Sequence, residues 1–159
     1  MNAEILIQYG SMIIAVLLLF LKRKGMKRFV PVGLFASFYA NIWCFLGMSF
    51  NWWTFPSRIT NKPDDVSWPV NFVIAPVTAM LWVRYFPLRL REQITWLFLW
   101  TSVLTGFEFA VERFTNLLKY HDGYDWYYSY VIWFFSFLIW YGFHLWFYNG
   151  RKEFDSVFK

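Results

Sequence analysis

Apolar residues fill five stretches of the chain, and polar or charged clusters separate them. No charged residue lies between Glu4 and Lys22, and this first run ends in LLLFL. A second run lies between Arg28 and Arg58, a third runs from about Val66 to Val83, a fourth opens near Gln93, and a fifth covers Trp126 to Gly150. A helix needs about 20 predominantly apolar residues to cross a bilayer. The pattern predicts an all-α membrane bundle of five transmembrane helices, over residues 4–21, 29–52, 66–84, 93–113 and 126–149. Together they form one integral membrane domain, residues 1–159.

Prolines punctuate the runs. Pro31 falls in the first turn of the second helix, where a missing N–H costs little. That run is longer than one crossing requires, so it either tilts or ends near Asn51-Trp52-Trp53 at an interface. Pro56 and Pro63 break the polar connector that follows. Pro76 lies deep enough in the third run to kink it and free a carbonyl that needs a partner inside the bundle. The cluster Lys22, Arg23, Lys24, Lys27, Arg28 follows the first run instead of preceding it, which argues against a secretory signal peptide.

The fourth run carries the least expected pattern, TSVLTGFEFAVERFT from Thr101 to Thr115. Thr101, Thr105, Glu108, Glu112 and Thr115 share one face of a helix, so two carboxylates lie one turn apart on an otherwise apolar span. Counting about 20 residues from Gln93 puts the outer boundary near Glu112, with Glu108 about 6 Å deeper. A carboxylate in hydrocarbon costs about 2.5–3.5 kcal/mol at the bilayer centre and less near an edge, so it normally faces a partner or water. Other runs carry matching stripes: Glu4, Gln8 and Ser11 in the first, Ser37, Asn41, Cys44, Met48 and Asn51 in the second, and Asn71 in the third. Gln8, Asn41, Asn71, Thr105 and Glu108 all fall in the same half of the bilayer, and their convergence predicts an outward-facing polar pocket. Arg58 is the expected counter-charge for the glutamates, because Arg113 points about 100° away from Glu112 on the helix. The alternative is that these groups serve only as interhelical hydrogen-bonding glue.

Charge sets the orientation. Eleven Lys and Arg fall on the side holding the 22–28 and 84–91 loops and the tail, and four on the other. The positive-inside rule then puts the N-terminus outside and the C-terminus in the cytoplasm. A net charge of +5 would suit nucleic acid, but the basic residues flank apolar runs, so no nucleic-acid partner is expected. Hydrophobic residues make up 58% of the chain and aromatic ones 26%, more than a soluble domain of 159 residues has interior to hide. The single cysteine, Cys44, excludes an internal disulfide and paired-cysteine metal motifs. His121, Asp122 and Asp125 lie within five residues, but Asp122-Gly123 is a turn signal and their spacing matches no metal motif. His144, near the inner end of the fifth run, reads as a hydrogen-bonded bundle residue. No catalytic motif, metal site or cofactor site is expected.

The run ExxxERFTNLLKY from Glu108 to Tyr120, followed by Trp126-Tyr127-Tyr128, resembles a family of small membrane proteins common in endospore-forming Firmicutes. FPSRI around Pro56 and Arg58, and APV around Pro76, carry the same resemblance. It implies five spans and a bacterial cytoplasmic or spore inner membrane, and it brings no assigned activity with it. Three classes of function follow. In the first, an outer pocket binds or helps move a small cation or polar solute, using Glu108, Glu112, Thr105, Asn41, Asn71, Gln8 and Arg58, with a homo-oligomer enclosing any path. In the second, an accessory subunit presents its aromatic surface to another membrane protein or to lipid. A membrane enzyme acting on lipid ranks third.

Overall fold

The computed structural model describes residues 3–57 and 67–148. Arg58, Lys62, Pro63 and the tail from 149 onward therefore lie outside the described residues. Among the described residues the chain is a helical bundle whose long elements are α1 (Ala3–Leu21), α2 (Val30–Ser49), α3 (Ala75–Arg84), α4 (Leu90–Phe114) and α5 (Trp126–Phe147). Four helical segments are long and apolar enough to cross a membrane: Glu4–Leu21, Met26–Ser49, Leu90–Phe114 and Trp126–Phe147.

Of the expected 66–84 span, residue 66 lies outside the described residues, and helical backbone runs over residues 68–84. A wide π turn, Val70–Ile74, leads into α3, and the apolar helix Val70–Arg84 is about 22 Å long at 1.5 Å per residue. The proline explains the turn. Pro76 has no N–H to return to the preceding turn, and the Ala75 N–H reaches back five residues to the Val70 carbonyl. The irregularity expected at Pro76 takes the form of a widened turn just ahead of it. Close packing backs it up: a Cβ on Gly33 of α2 would lie 2.8 Å from Met80 Sδ and 3.3 Å from the Pro76 carbonyl oxygen. Small residues Gly33, Ala36, Ala75 and Ala79 let α2 and α3 approach, as helices in membranes commonly do.

Successive helices alternate in direction, as the ties between their ends show. At one end, Glu4 accepts hydrogen bonds from Ser57 Oγ (2.7 Å) and from the Asn116 main-chain N–H (3.0 Å). There a two-residue strand β1 (Trp53–Thr54) pairs antiparallel with β2 (Lys119–Tyr120), Trp53 opposite Tyr120. At the other end, the Arg84 guanidinium donates to the Lys22 carbonyl, and Tyr148 OH donates to the Arg28 carbonyl at 2.6 Å.

Local chemistry shapes the first end. Asn51, at φ 54°, ends α2: the Trp52 N–H returns to the Gly47 carbonyl and the Asn51 N–H to that of Met48. This is the Schellman arrangement, with asparagine tolerating the left-handed position. Asp122 and Gly123 both have positive φ and the Tyr124 N–H bonds the His121 carbonyl, so the predicted turn is present and is of the I′ kind. His121 and Asp122 are spent on the ribbon, with Nε2 of His121 2.8 Å from Thr54 Oγ1 and Asp122 Oδ2 accepting from Asn51 Nδ2 at 2.8 Å. Asp125 accepts from the Trp126 N–H and caps α5.

Burial is inverted relative to a water-soluble protein. Leu6, Ile13, Leu34, Phe38, Phe45, Leu99, Val103 and Phe135 point outward, while Asn71, Thr101, Thr105, Ser129 and Ser136 are buried. An apolar belt around a partly polar interior is what a bilayer demands, because lipid removes the reason to hide hydrocarbon and leaves the reason to pair polar groups. The four long apolar helices and this exposed apolar belt are compatible with a multi-pass membrane bundle. Its core centres on Trp82, Phe137 and Trp140, with the Trp82 and Phe137 rings stacked at 4.7 Å.

Candidate functional site

The expected face of α4 turns inward. Leu97, Thr101 and Thr105 are buried, while Leu99 and Val103 on the opposite side are exposed. Glu108, one turn beyond Thr105, meets α5 and the loop before it. Tyr120 OH and Ser129 Oγ donate to its Oε1 at 2.7 and 2.6 Å, and Trp133 Nε1 donates to Oε2 at 2.6 Å. Tyr124 OH lies 2.9 Å from Ser129 Oγ. Each hydroxyl has one proton, and Ser129 gives its own to Glu108, so Tyr124 donates to Ser129. Three donors therefore converge on one carboxyl group, with a fourth behind them.

These contacts come from a stripe on α5 that repeats the spacing of the stripe on α4. Ser129, Trp133, Ser136 and Trp140 fall at i, i+4, i+7 and i+11, as do Thr101, Thr105, Glu108 and Glu112. The serines are the small polar breaks in an aromatic helix, and their regular spacing was the signal that could have named Glu108's partners. Burial pushes the Tyr120 phenol well above its ordinary value, and the adjacent Glu108 charge adds to this. Burial likewise raises Tyr124. Both phenols remain donors at any physiological pH.

Glu108 stands in the wall of a cavity of about 240 Å³ at the end of the bundle closed by the β ribbon. All five helices contribute to it. Gln8, Cys44 and Asn71 line it together with Glu108. Aromatic side chains form a large part of the remaining wall, Tyr39, Trp43, Trp53, Tyr124, Trp133 and Trp140 among them, and aliphatic residues and the hydroxyl residues Ser11, Thr78, Ser129 and Ser136 complete it. Trp53 reaches it because α2 has glycine at 47, where a Cβ would fall 2.1 Å from the Trp53 ring.

The other expected site residues distribute as follows. Gln8 Nε2 donates to the Ser57 carbonyl (3.2 Å), and Asn71 Nδ2 donates to Asn41 Oδ1 (3.2 Å). Asn41 itself donates to the Ser37 carbonyl and supports the wall from behind. The amides thus border the cavity, but hydroxyl and indole groups are what hold the carboxyl. Thr105 is buried, and its hydroxyl has no partner among the described residues. Glu112 lies outside the cavity wall, and its main-chain carbonyl accepts from Lys119 Nζ at 2.7 Å. Arg58 falls outside the described residues. Among the described residues no group of three or more His, Cys, Asp and Glu is arranged to hold a metal ion. No family model, curated protein or solved structure matches the chain significantly.

Proposed function

We propose that the protein binds a small cation or polar solute in the cavity beside Glu108, and that this pocket opens toward the outer face of a bacterial membrane. The observation that carries this reading is a carboxyl group built into a cavity wall and held there by three fixed donors. Preorganised donors keep a carboxylate in one position and leave its remaining acceptor capacity for a guest. The same reading takes α3 with its π turn as a short fifth crossing, the N-terminus as external and the C-terminus as cytoplasmic. The concentration of Lys and Arg around 22–28 and 84–91 supports that orientation.

The test is thermal unfolding of the purified protein and its Glu108→Gln variant against sodium, potassium, magnesium and spermidine salts and small organic amines. The variant is expected to fold: its amide oxygen can accept from Trp133, and its amino group can donate to hydroxyls that reverse. At least one solute should raise the melting temperature of the wild type and leave the variant unmoved. Identical melting of both proteins with every solute would reduce Glu108 to a lock between α4 and α5. That outcome would favour the second reading, an accessory subunit whose exposed Trp126, Tyr127, Tyr128, Trp146 and Phe147 meet another membrane protein.

A further inference from the structure

Which class of guest suits the cavity follows from the composition of its wall. Glu108 is the only formally charged side chain lining it among the described residues. An ionised carboxyl offers about four lone-pair positions, and three here are taken by Tyr120, Ser129 and Trp133. The one left belongs to Oε2. A hard metal ion is poorly served by that supply: calcium takes six to eight oxygen ligands and magnesium an octahedral set. Gln8, Asn71, Ser11 and Thr78 also line the cavity, but one free carboxylate position with neutral amides and hydroxyls is a poor replacement for a divalent ion's hydration shell.

The rings themselves point elsewhere. Trp43, Trp53, Trp133, Trp140, Tyr39 and Tyr124 line the same cavity as the carboxyl, and aromatic faces attract organic cations strongly once water is removed. An apolar cavity of about 150 Å³ accommodates benzene. At about 240 Å³ this one has room for an apolar body of that size plus a polar head.

We infer that the cavity is a site for an organic ammonium ion with an apolar body. The ammonium donates to the open position on Glu108 Oε2, and the apolar portion packs against the tryptophans. This assignment rests on the proposed binding function and narrows it to a ligand class. It separates the site from that of an inorganic ion and from a purely apolar cavity.

The experiment titrates purified wild-type protein with phenethylammonium chloride and, in parallel, with 2-phenylethanol, which has similar shape and no charge. Tryptophan fluorescence and thermal unfolding are the readouts, and potassium and magnesium chloride are the ionic controls. Phenethylammonium should bind the wild type at least about tenfold more tightly than 2-phenylethanol, and Glu108→Gln should erase that difference. Trp43→Leu should weaken phenethylammonium severalfold more than 2-phenylethanol, a readout that holds even where the glutamine variant is poorly folded. Glu108-dependent stabilisation by potassium or magnesium, with none by phenethylammonium, would overturn the ammonium assignment and leave the binding function standing. Equal binding of both aromatic probes to both proteins, or binding of no probe, would overturn the ammonium assignment, and the solute screen above decides separately on the binding function.

Discussion

At the residue scale the protein is organised around one carboxyl and the proton count of its neighbours. Ser129 is fully committed, giving its proton to Glu108 and receiving that of Tyr124. Ser129→Ala removes a charge-assisted hydrogen bond and leaves the half-buried Tyr124 hydroxyl without its Ser129 partner. It should cost about 1.5–3 kcal/mol, read as a lower melting temperature or denaturation midpoint. Unchanged stability would mean that the network does not form. Tyr120 adds a pH signature. Its phenol is raised in the folded state by burial and by Glu108, so the folded protein holds that proton more tightly than the unfolded chain. The contribution is complete below the unfolded tyrosine value of about 10 and declines as pH rises above it. Tyr120→Phe should therefore flatten the loss of stability measured by melting between pH 9.5 and 11, and a slope equal to the wild type would contradict this.

At the element scale, periodicity made half of the site legible. The α4 stripe from Thr101 to Glu112 placed Glu108 on the inward face, and the shared stripes of α1, α2 and α3 brought Gln8, Cys44 and Asn71 to one cavity. The other half was masked by composition. In an α5 so rich in aromatics no face looks polar, yet Ser129, Trp133, Ser136 and Trp140 repeat the spacing of the α4 stripe. The π turn at Val70–Ile74 was not legible either, because a proline marks an interruption without naming the form it takes. The pairing of β1 with β2 joins segments far apart in sequence and has no local signal. Gly47 shows how tightly these parts are coupled. Gly47→Ala would drive a methyl group into the Trp53 ring, which is buried against it and lines the cavity. Although alanine favours helix, overpacking should prevail, at about 1–3 kcal/mol of lost stability by denaturant or thermal melts. A stabilised alanine variant would show that Trp53 has freedom to move.

At the scale of the whole molecule, the ties between helix ends turn topology into a question with two discrete answers. Glu4, Ser57, Asn116 and the β ribbon hold one end together, while Arg84 with Lys22 and Tyr148 with Arg28 hold the other. A four-crossing arrangement with α3 lying outside the bilayer would separate groups that these bonds join. Burial makes the same point, since Ala79, Trp82 and Val83 of α3 sit in the packed core beside Phe137 and Trp140. On the proposed five-crossing reading, helical residues 68–84, about 25 Å at 1.5 Å per residue, would lie slightly short of a hydrocarbon layer of about 30 Å, a mismatch that the longer α2 and α4 could shield. Single cysteines introduced at Lys24, Arg89 and Asp122, in a Cys44→Ser background, report the answer directly. All three positions are exposed. With an impermeant maleimide on intact cells, Asp122→Cys should label without permeabilisation, and Lys24→Cys and Arg89→Cys only after it. Labelling of all three from outside, or of Lys24→Cys and Asp122→Cys alike, would break the alternation. The reverse pattern would keep the bundle and its five crossings while turning the Glu108 cavity toward the cytoplasm, so the pool of amines able to reach it would be internal.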